Sequence, residues 1–244
     1  MPRAVAVIQA RTGSTRLPAK VLYPIGGRAM VLRVLDRAAR IPAVDEAVAA
    51  IPDIAQDDEL ASVLAAAGIR TLRGPADDVL HRYQLAAAQT SADIVVRITA
   101  DCPLLSPRVS GLVLAAFNEG SWDYASNTLE RTWPRGLDTE VLSRDVLEQI
   151  DREATAADER EHVTPPIWRH PDRFRLRAVR SDTDLSGLRW TVDEADDLRL
   201  VEDIYQALAN SSPDFDIPEI LELLARRPTI ARINERVMQK NLGR

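Results

Sequence analysis

Alternation of short apolar runs with amphipathic stretches, over roughly the first 100 residues, limits this chain to few folds. Residues 4–9 (AVAVIQ), 46–51, 69–73 and 94–98 (IVVRI) read as buried strands, and 30–40, 57–67 and 77–90 as the helices between them. Strands separated by helices form a mainly parallel sheet. Right-handed crossovers then carry the loops that follow the strands to one sheet edge. The loop after Gln9 and the loop holding Asp101 are both expected there. Beyond a helix at 107–118 the pattern loosens. Strands are expected at 137–143, 174–179 and 188–192, with helices at 145–169 (broken at Pro165-Pro166), 196–209 and 217–224, and a basic tail expected to fray. The fold class is therefore α/β with a less regular α+β second half. A single domain, 1–244, is expected, since no linker or repeat interrupts it.

Composition narrows the function classes. No run approaches the roughly 20 apolar residues that cross a bilayer, so no membrane association is expected. The N-terminus enters a strand at once and does not read as a signal peptide. The single cysteine, Cys102, excludes an intrachain disulfide and suits a reducing cytoplasm. Net charge is −6, which argues against a nucleic-acid partner. Yet the first acid is Asp36, preceded by Arg3, Arg11, Arg16, Lys20, Arg28 and Arg33. An acidic protein with an acid-free start has room for a local anion site; a solvated basic face would look the same.

The segment 9–22 concentrates that possibility. It runs Gln9-Ala10-Arg11-Thr12-Gly13-Ser14-Thr15-Arg16-Leu17-Pro18-Ala19-Lys20-Val21-Leu22. Small residues let backbone N–H groups approach phosphate oxygens, and Arg11, Arg16 and Lys20 supply countercharge. It is neither a Walker A loop nor a G-x-G-x-x-G dinucleotide fingerprint.

The same segment resembles the signature loop of the CMP-sugar synthetases, the acylneuraminate and KDO cytidylyltransferases. The resemblance is closer still to the branch named for spore coat polysaccharide biosynthesis protein F. It continues in order through Pro24-Ile25-Gly26-Gly27, Asp77-Asp78-Val79-Leu80, Arg97-Ile98-Thr99-Ala100-Asp101-Cys102-Pro103, Gly136-Leu137-Asp138-Thr139-Glu140, Glu159-Arg160-Glu161-His162-Val163 and Leu188-Arg189-Trp190-Thr191-Val192-Asp193. Sugar-1-phosphate nucleotidyltransferases have a related loop with extra residues between arginine and lysine, so the short Arg16-to-Lys20 spacing favours the cytidylyl branch. The resemblance implies a Rossmann-like, mostly parallel sheet flanked by helices, of the nucleotide-diphospho-sugar transferase or GT-A-like type. It also implies a homodimer, with 124–179 expected to serve acceptor binding and dimerisation.

By the same resemblance, Asp101 and Asp193 are the magnesium carboxylates. Position alone would make Asp193 the N-cap of the next helix. Arg11 and Lys20 are expected to join them in catalysis, and Gln9, Ala10, Thr12, Gly13, Ser14, Arg16, Arg82 and Thr99 to bind the nucleotide. Arg82 could instead pair with Asp77 or Asp78 on its own helix. Asp138 and Glu140 would share a strand face and contact acceptor or metal, or form a solvated edge. His162 is an acceptor-site candidate; an ionised carboxylate or phosphonate nucleophile needs no general base, whereas a sugar hydroxyl would. Cys102 is expected to be a packed residue, and core is the default for Trp122, Trp133, Trp168 and Trp190.

The expected reaction is transfer of CMP from CTP to an acidic acceptor, a sugar acid or phosphonate, with release of pyrophosphate and for surface polysaccharide synthesis. One alternative is a GT-A glycosyltransferase using Asp182-Thr183-Asp184 as a metal motif, although that tripeptide reads as a turn. The other is a non-catalytic nucleotide-binding protein.

Overall fold

The β/α alternation becomes a seven-stranded mixed sheet in the computed structural model, which describes residues 2–238. Strand β1 (Ala4–Gln9) leads through a short 3-10 turn (Lys20–Leu22) and a hairpin, β2 (Pro24–Ile25) and β3 (Arg28–Ala29), into α1 (Met30–Ala38). Then come β4 (Glu46–Pro52), α2 (Asp58–Ala66), β5 (Thr71–Gly74), α3 (Val79–Thr90), β6 (Ile94–Thr99) and α4 (Pro107–Asn118). The second half supplies β7 (Tyr124–Ser126), β8 (Glu140–Ser143), α5 (Arg144–Glu153), α6 (Ala157–His162), α7 (Pro165–Trp168), β9 (Leu176–Ala178), α8 (Ala195–Leu208), α9 (Ile217–Arg226) and α10 (Pro228–Ala231).

Strand order is β5-β4-β1-β6-β8-β7-β9. The chain builds outward from β1 to β4 and β5, then crosses back to lay β6 on the other side of β1. The reversal between β1 and β6 is where an open parallel sheet leaves a crevice at its carboxyl edge. Gln9 sits opposite Thr99 in that register, so the loops after them leave side by side. β8 enters antiparallel to β6, whereas β9 is parallel to β7.

Strand β1 is apolar on both faces because both are covered. Ala4, Ala6 and Ile8 pack on one side with residues of α1, α4, α8 and α9. Val5 and Val7 pack on the other with residues of α3 and α5. Such two-sided burial is why the run reads as continuously hydrophobic rather than alternating.

Several second-half expectations shift. The strand expected from 137 starts at Glu140, the one expected over 174–179 contracts to β9, and β7 carries too short an apolar signal to be read. The 188–192 segment is extended but forms no strand, only an isolated bridge between Arg189 and Arg135. Its hydrogen bonds alternate between two loops: Trp190 N–H donates to the Arg135 carbonyl at 2.7 Å, and Val192 N–H to the Asp101 carbonyl at 2.9 Å. No single ladder can form, although Trp190 and Val192 are fully packed. Trp133 is buried as well, and Trp122 and Trp168 are half-buried. The tail expected to fray is instead helical and turned as far as residue 236; residues 239–244 lie outside the described residues.

Gly136 makes the contact between the 134–136 turn and the 188–192 segment possible. Its φ is +102°, and an added Cβ would lie 2.5 Å from the backbone of Trp190 and Thr191. Neither the conformation nor the clash is relieved by rotating a side chain. Gly136→Ala is therefore expected to lower unfolding stability by about 3 kcal/mol or more, read from the urea midpoint at unchanged m-value.

Candidate active site

At the carboxyl edge of β1 and β6, three segments distant in sequence meet at one amine. Lys20 Nζ donates to Asp101 Oδ2 at 3.1 Å, to Asp193 Oδ1 at 2.9 Å and to the Val192 carbonyl at 2.6 Å. The lysine side chain is only 11% exposed, so these partners replace most of its hydration. Burial alone would lower its pKa, but the two carboxylates outweigh that and raise it above 10.5. Asp193 responds in the opposite sense: burial would raise its pKa, and Lys20, Arg16 and Arg189 together hold it below 3.8.

The remaining carboxylate oxygens are also fixed. Thr99 donates its hydroxyl to Asp101 Oδ1 at 2.5 Å. Arg16 reaches Asp193 Oδ1 at 3.0 Å and Glu194 Oε1 at 3.4 Å. Arg189 reaches Asp193 Oδ2 at 3.0 Å. Asp193 is not the helix cap, because Glu194 occupies that position on α8 and leaves the aspartate free to face Lys20.

The loop between Arg11 and Lys20 has its own anchor. Asp57, 1% exposed, accepts both the Thr12 amide (2.7 Å) and the Thr12 hydroxyl (2.9 Å) through a single oxygen. Its position before α2 suggests only a helix start, so sequence reasoning missed it. No local sequence signal marks it; only the structure reveals a buried carboxylate that makes no capping bond. From Thr12 the loop folds on itself, with the Ser14 and Ala19 amides donating to the Thr12 carbonyl at 2.8 and 2.9 Å. Among the described residues the amides of Gly13, Thr15 and Arg16 have no protein acceptor. Ala10 is buried in the turn out of β1, its amide bonded to the Ala50 carbonyl. Arg11, 48% exposed, reaches across to Glu161 on α6 at 3.1 Å.

Next to the carboxylates lies a buried polar network. Arg97 faces Glu140 across the β6–β8 pair and forms an ion pair with it. Its other arm donates to Gln9 Oε1 at 2.9 Å, where the Tyr83 hydroxyl also converges. Glu140 is 7% exposed and additionally accepts the Tyr124 and Thr164 hydroxyls. Burial and the Glu140 charge push the Tyr83 hydroxyl well above its usual range. This glutamate is thus engaged with Arg97 rather than presented to solvent. Asp138 lies outside β8 and forms a two-point ion pair with Arg131 at 2.7 and 2.8 Å. His162, at the end of α6, is half-buried; burial, with Arg97 and Arg11 nearby, lowers its pKa below 6.5, so it is neutral at pH 7.

Two sequence candidates are bonded to other partners. Arg82, 3% exposed, donates to the Pro75 and Ala76 carbonyls at 2.5 and 2.9 Å. It pairs with neither Asp77 nor Asp78, since Asp78 is taken by Arg160; reaching a nucleotide would mean surrendering those carbonyls. The 182–184 tripeptide is a turn, with Asp184 accepting the Ser186 amide at 2.9 Å. Cys102 is buried, which pushes its thiol up.

Among the described residues no group of three or more His, Cys, Asp and Glu side chains forms a metal cage. Asp101 and Asp193 nevertheless fit a hard cation that binds one or two carboxylates and takes its remaining ligands from phosphates and water. That they already converge on one ammonium shows that a single positive centre can reach both.

The sequence matches the cytidylyltransferase family over residues 5–214. The chain belongs to that family. The Bacillus subtilis spore coat polysaccharide biosynthesis protein SpsF is a similar relative, 32% identical over 238 residues, covering 94% of this chain and 97% of that one. A cytidylyltransferase structure from Leptospira borgpetersenii superposes with a TM-score of 0.90 at 28% identity, over 99% of this chain and all of the other. A CMP:2-keto-3-deoxy-manno-octonic acid synthetase complexed with CTP shares the fold, with a TM-score of 0.66 at 21% identity over 84% of this chain and all of its own. No described helix is long and apolar enough to cross a membrane.

The pKa directions fix how the cluster responds to pH. Asp193, depressed, contributes stability present above its unfolded pKa near 3.8 and lost as pH falls through the lower folded value. Lys20, raised, contributes below 10.5 and loses its contribution as pH rises through the higher folded value. Lys20→Met is expected to cost about 2 kcal/mol at pH 7, by leaving two partly buried carboxylates without their shared cation. The urea-unfolding gap to wild type should narrow below about pH 4 as Asp193 protonates. A gap independent of pH would show that the cost is one of packing.

Proposed function

We propose that the protein transfers CMP from CTP to an acidic acceptor, a sugar acid or phosphonate, and releases pyrophosphate. The observation that carries this reading is the pair Asp101 and Asp193, brought from opposite halves of the chain to one cation beside a basic loop. Membership of the cytidylyltransferase family supplies the reaction class. The resemblance to a spore coat polysaccharide protein favours a role in building surface polysaccharide.

In this reading Arg11, Arg16 and Lys20 bind the triphosphate, and the amides of Gly13, Thr15 and Arg16 donate to its oxygens, with Thr12 and Ser14 setting the loop's shape. Arg11 exchanges Glu161 for phosphate, a small loss because both side chains are about half exposed. Gln9, held by Arg97 and Tyr83, presents a fixed amide beside Ala10 at the cleft floor. Thr99 orients Asp101. Asp101 and Asp193 would hold Mg2+, which supplies charge neutralisation on the phosphates when bound.

The acceptor oxygen attacks the α-phosphorus, a bond to the α-phosphate forms, and the bond to the β-phosphate oxygen breaks. In this reading Lys20 and Arg16 bind the pyrophosphate as it leaves. No covalent enzyme intermediate is required. An acceptor that attacks through an already ionised oxygen needs no base, which suits a neutral, half-buried His162 that only binds it, whereas a sugar hydroxyl must give up its proton as the bond to phosphorus forms. His162 and the Arg131–Asp138 pair are assigned to the acceptor side, with Glu140 acting through Arg97. Residues 124–179 extend the sheet to its β9 edge, and we assign the same region to homodimer contact. A cytoplasmic setting accords with a single buried thiol.

Incubation with CTP, Mg2+ and a panel of sugar acids and phosphonates is expected to release pyrophosphate. Asp101→Asn, Asp193→Asn and Lys20→Met should each lower kcat by about 100-fold or more. Turnover of nucleotide sugars without pyrophosphate release from CTP would point to glycosyl transfer instead. CTP binding with no turnover across the panel would point to a non-catalytic nucleotide-binding protein.

A further inference from the structure

Arg189 stands directly against Asp193, an arrangement that should hinder any cation the aspartate is to bind. Its Nη2 donates to Asp193 Oδ2 at 3.0 Å. A guanidinium in that place, with no other partner, would neutralise the carboxylate and compete for its oxygen. The structure places a second carboxylate behind it. Asp197, with no exposed side-chain surface, accepts Arg189 Nε and Nη2, each at 2.9 Å. Two parallel N–H bonds to a fully buried carboxylate are the strongest claim a partner can make on an arginine. Asp197 also accepts the Asp193 and Glu194 amides at 3.0 and 3.1 Å, so it fixes the backbone from which the Asp193 side chain projects.

The last support comes from the far end of the chain. Asn234, 7% exposed, follows α10. Its Nδ2 donates to Asp197 Oδ1 at 2.8 Å and to the Arg189 carbonyl at 3.0 Å. One amide nitrogen therefore ties both members of the pair to the C-terminal segment.

We propose that Arg189, Asp197 and Asn234 are positioning residues for Asp193. Asp197 absorbs the arginine's charge, Arg189 fixes the rotamer of Asp193, and Asn234 makes the C-terminal segment integral to the cation site. The proposal rests on the reading of Asp193 as a cation ligand. It predicts that losing the Asp197 charge turns Arg189 from a support into a competitor.

The test is Mn2+ binding to the full-length protein in the presence of CTP, followed by the electron paramagnetic resonance signal of free Mn2+. Asp197→Asn and Asn234→Ala are each expected to weaken Mn2+ binding by about 10-fold or more. The double variant Arg189→Gln with Asp197→Asn, which removes both charges, should bind more tightly than Asp197→Asn alone. A purely structural role would lower the melting temperature and leave Mn2+ affinity of the folded protein unchanged in all three. That result overturns the proposal. Asn234→Ala keeps both charges, so it carries the test if the Asp197 variants do not fold. Wild-type protein that binds no Mn2+, or binds it equally well as Asp193→Asn, would overturn the ligand reading and this proposal with it. Intact wild-type binding together with indifferent variants overturns this proposal alone.

Discussion

A single ammonium group shared by two carboxylates holds this site together. Lys20 lies just beyond the N-terminal loop, Asp101 on the loop after β6, and Asp193 on the approach to α8. None of the three segments is fixed to the others by a strand ladder. The cost of burying the lysine is offset only while both acids face it, and the acids repel each other without it. Each segment's placement therefore depends on the others, and the crevice at the β1–β6 reversal has a defined floor as a result.

Around that point, the supports come in tiers that use different chemistry. Asp101 is steadied by a threonine hydroxyl, Asp193 by two guanidinium groups, and the N-terminal loop by a buried carboxylate that holds Thr12. The Arg97–Glu140 pair, with Gln9, Tyr83, Tyr124 and Thr164 around it, braces the neighbouring strands in a comparable way. Nearly all of these groups have partners inside the protein, which keeps a densely polar site from being a floppy one.

The first half of the fold was legible because its signals are local. β1, α1, β4, α3, β6 and α4 fall within a few residues of where apolar runs and Gly-Pro breaks put them. The second half was less so, because there conformation follows from what a segment meets. The 188–192 run has the composition of a strand yet splits its hydrogen bonds between two loops, and β7 exists because β8 and β9 flank it. The site divides in the same way. Arg16, Lys20, Asp101 and Asp193 could be named from motifs and resemblance, and the structure gathers them. The roles of Asp57, Asp197 and Asn234 could not be read, since nothing local distinguishes a carboxylate that caps a helix from one that holds another segment. Arg82 shows another limit: the sequence offers it for the nucleotide or for a carboxylate on its own helix, and the two backbone carbonyls it bonds instead of that carboxylate lie in a turn that no spacing rule points to.

The ring closed on the Thr12 carbonyl also bears on how the loop can vary in length. The Ala19 amide returns to that carbonyl, so residues 13–18 form a circuit whose two ends are already together. Residues added between Arg16 and Ala19 would enlarge the circuit without moving Lys20 or β1, and the entropic cost of a longer circuit grows only slowly. Changes of length there are thereby confined to the loop itself, between two ends that stay bonded. The loop can lengthen while the charge cluster of Lys20, Asp101 and Asp193 stays in register.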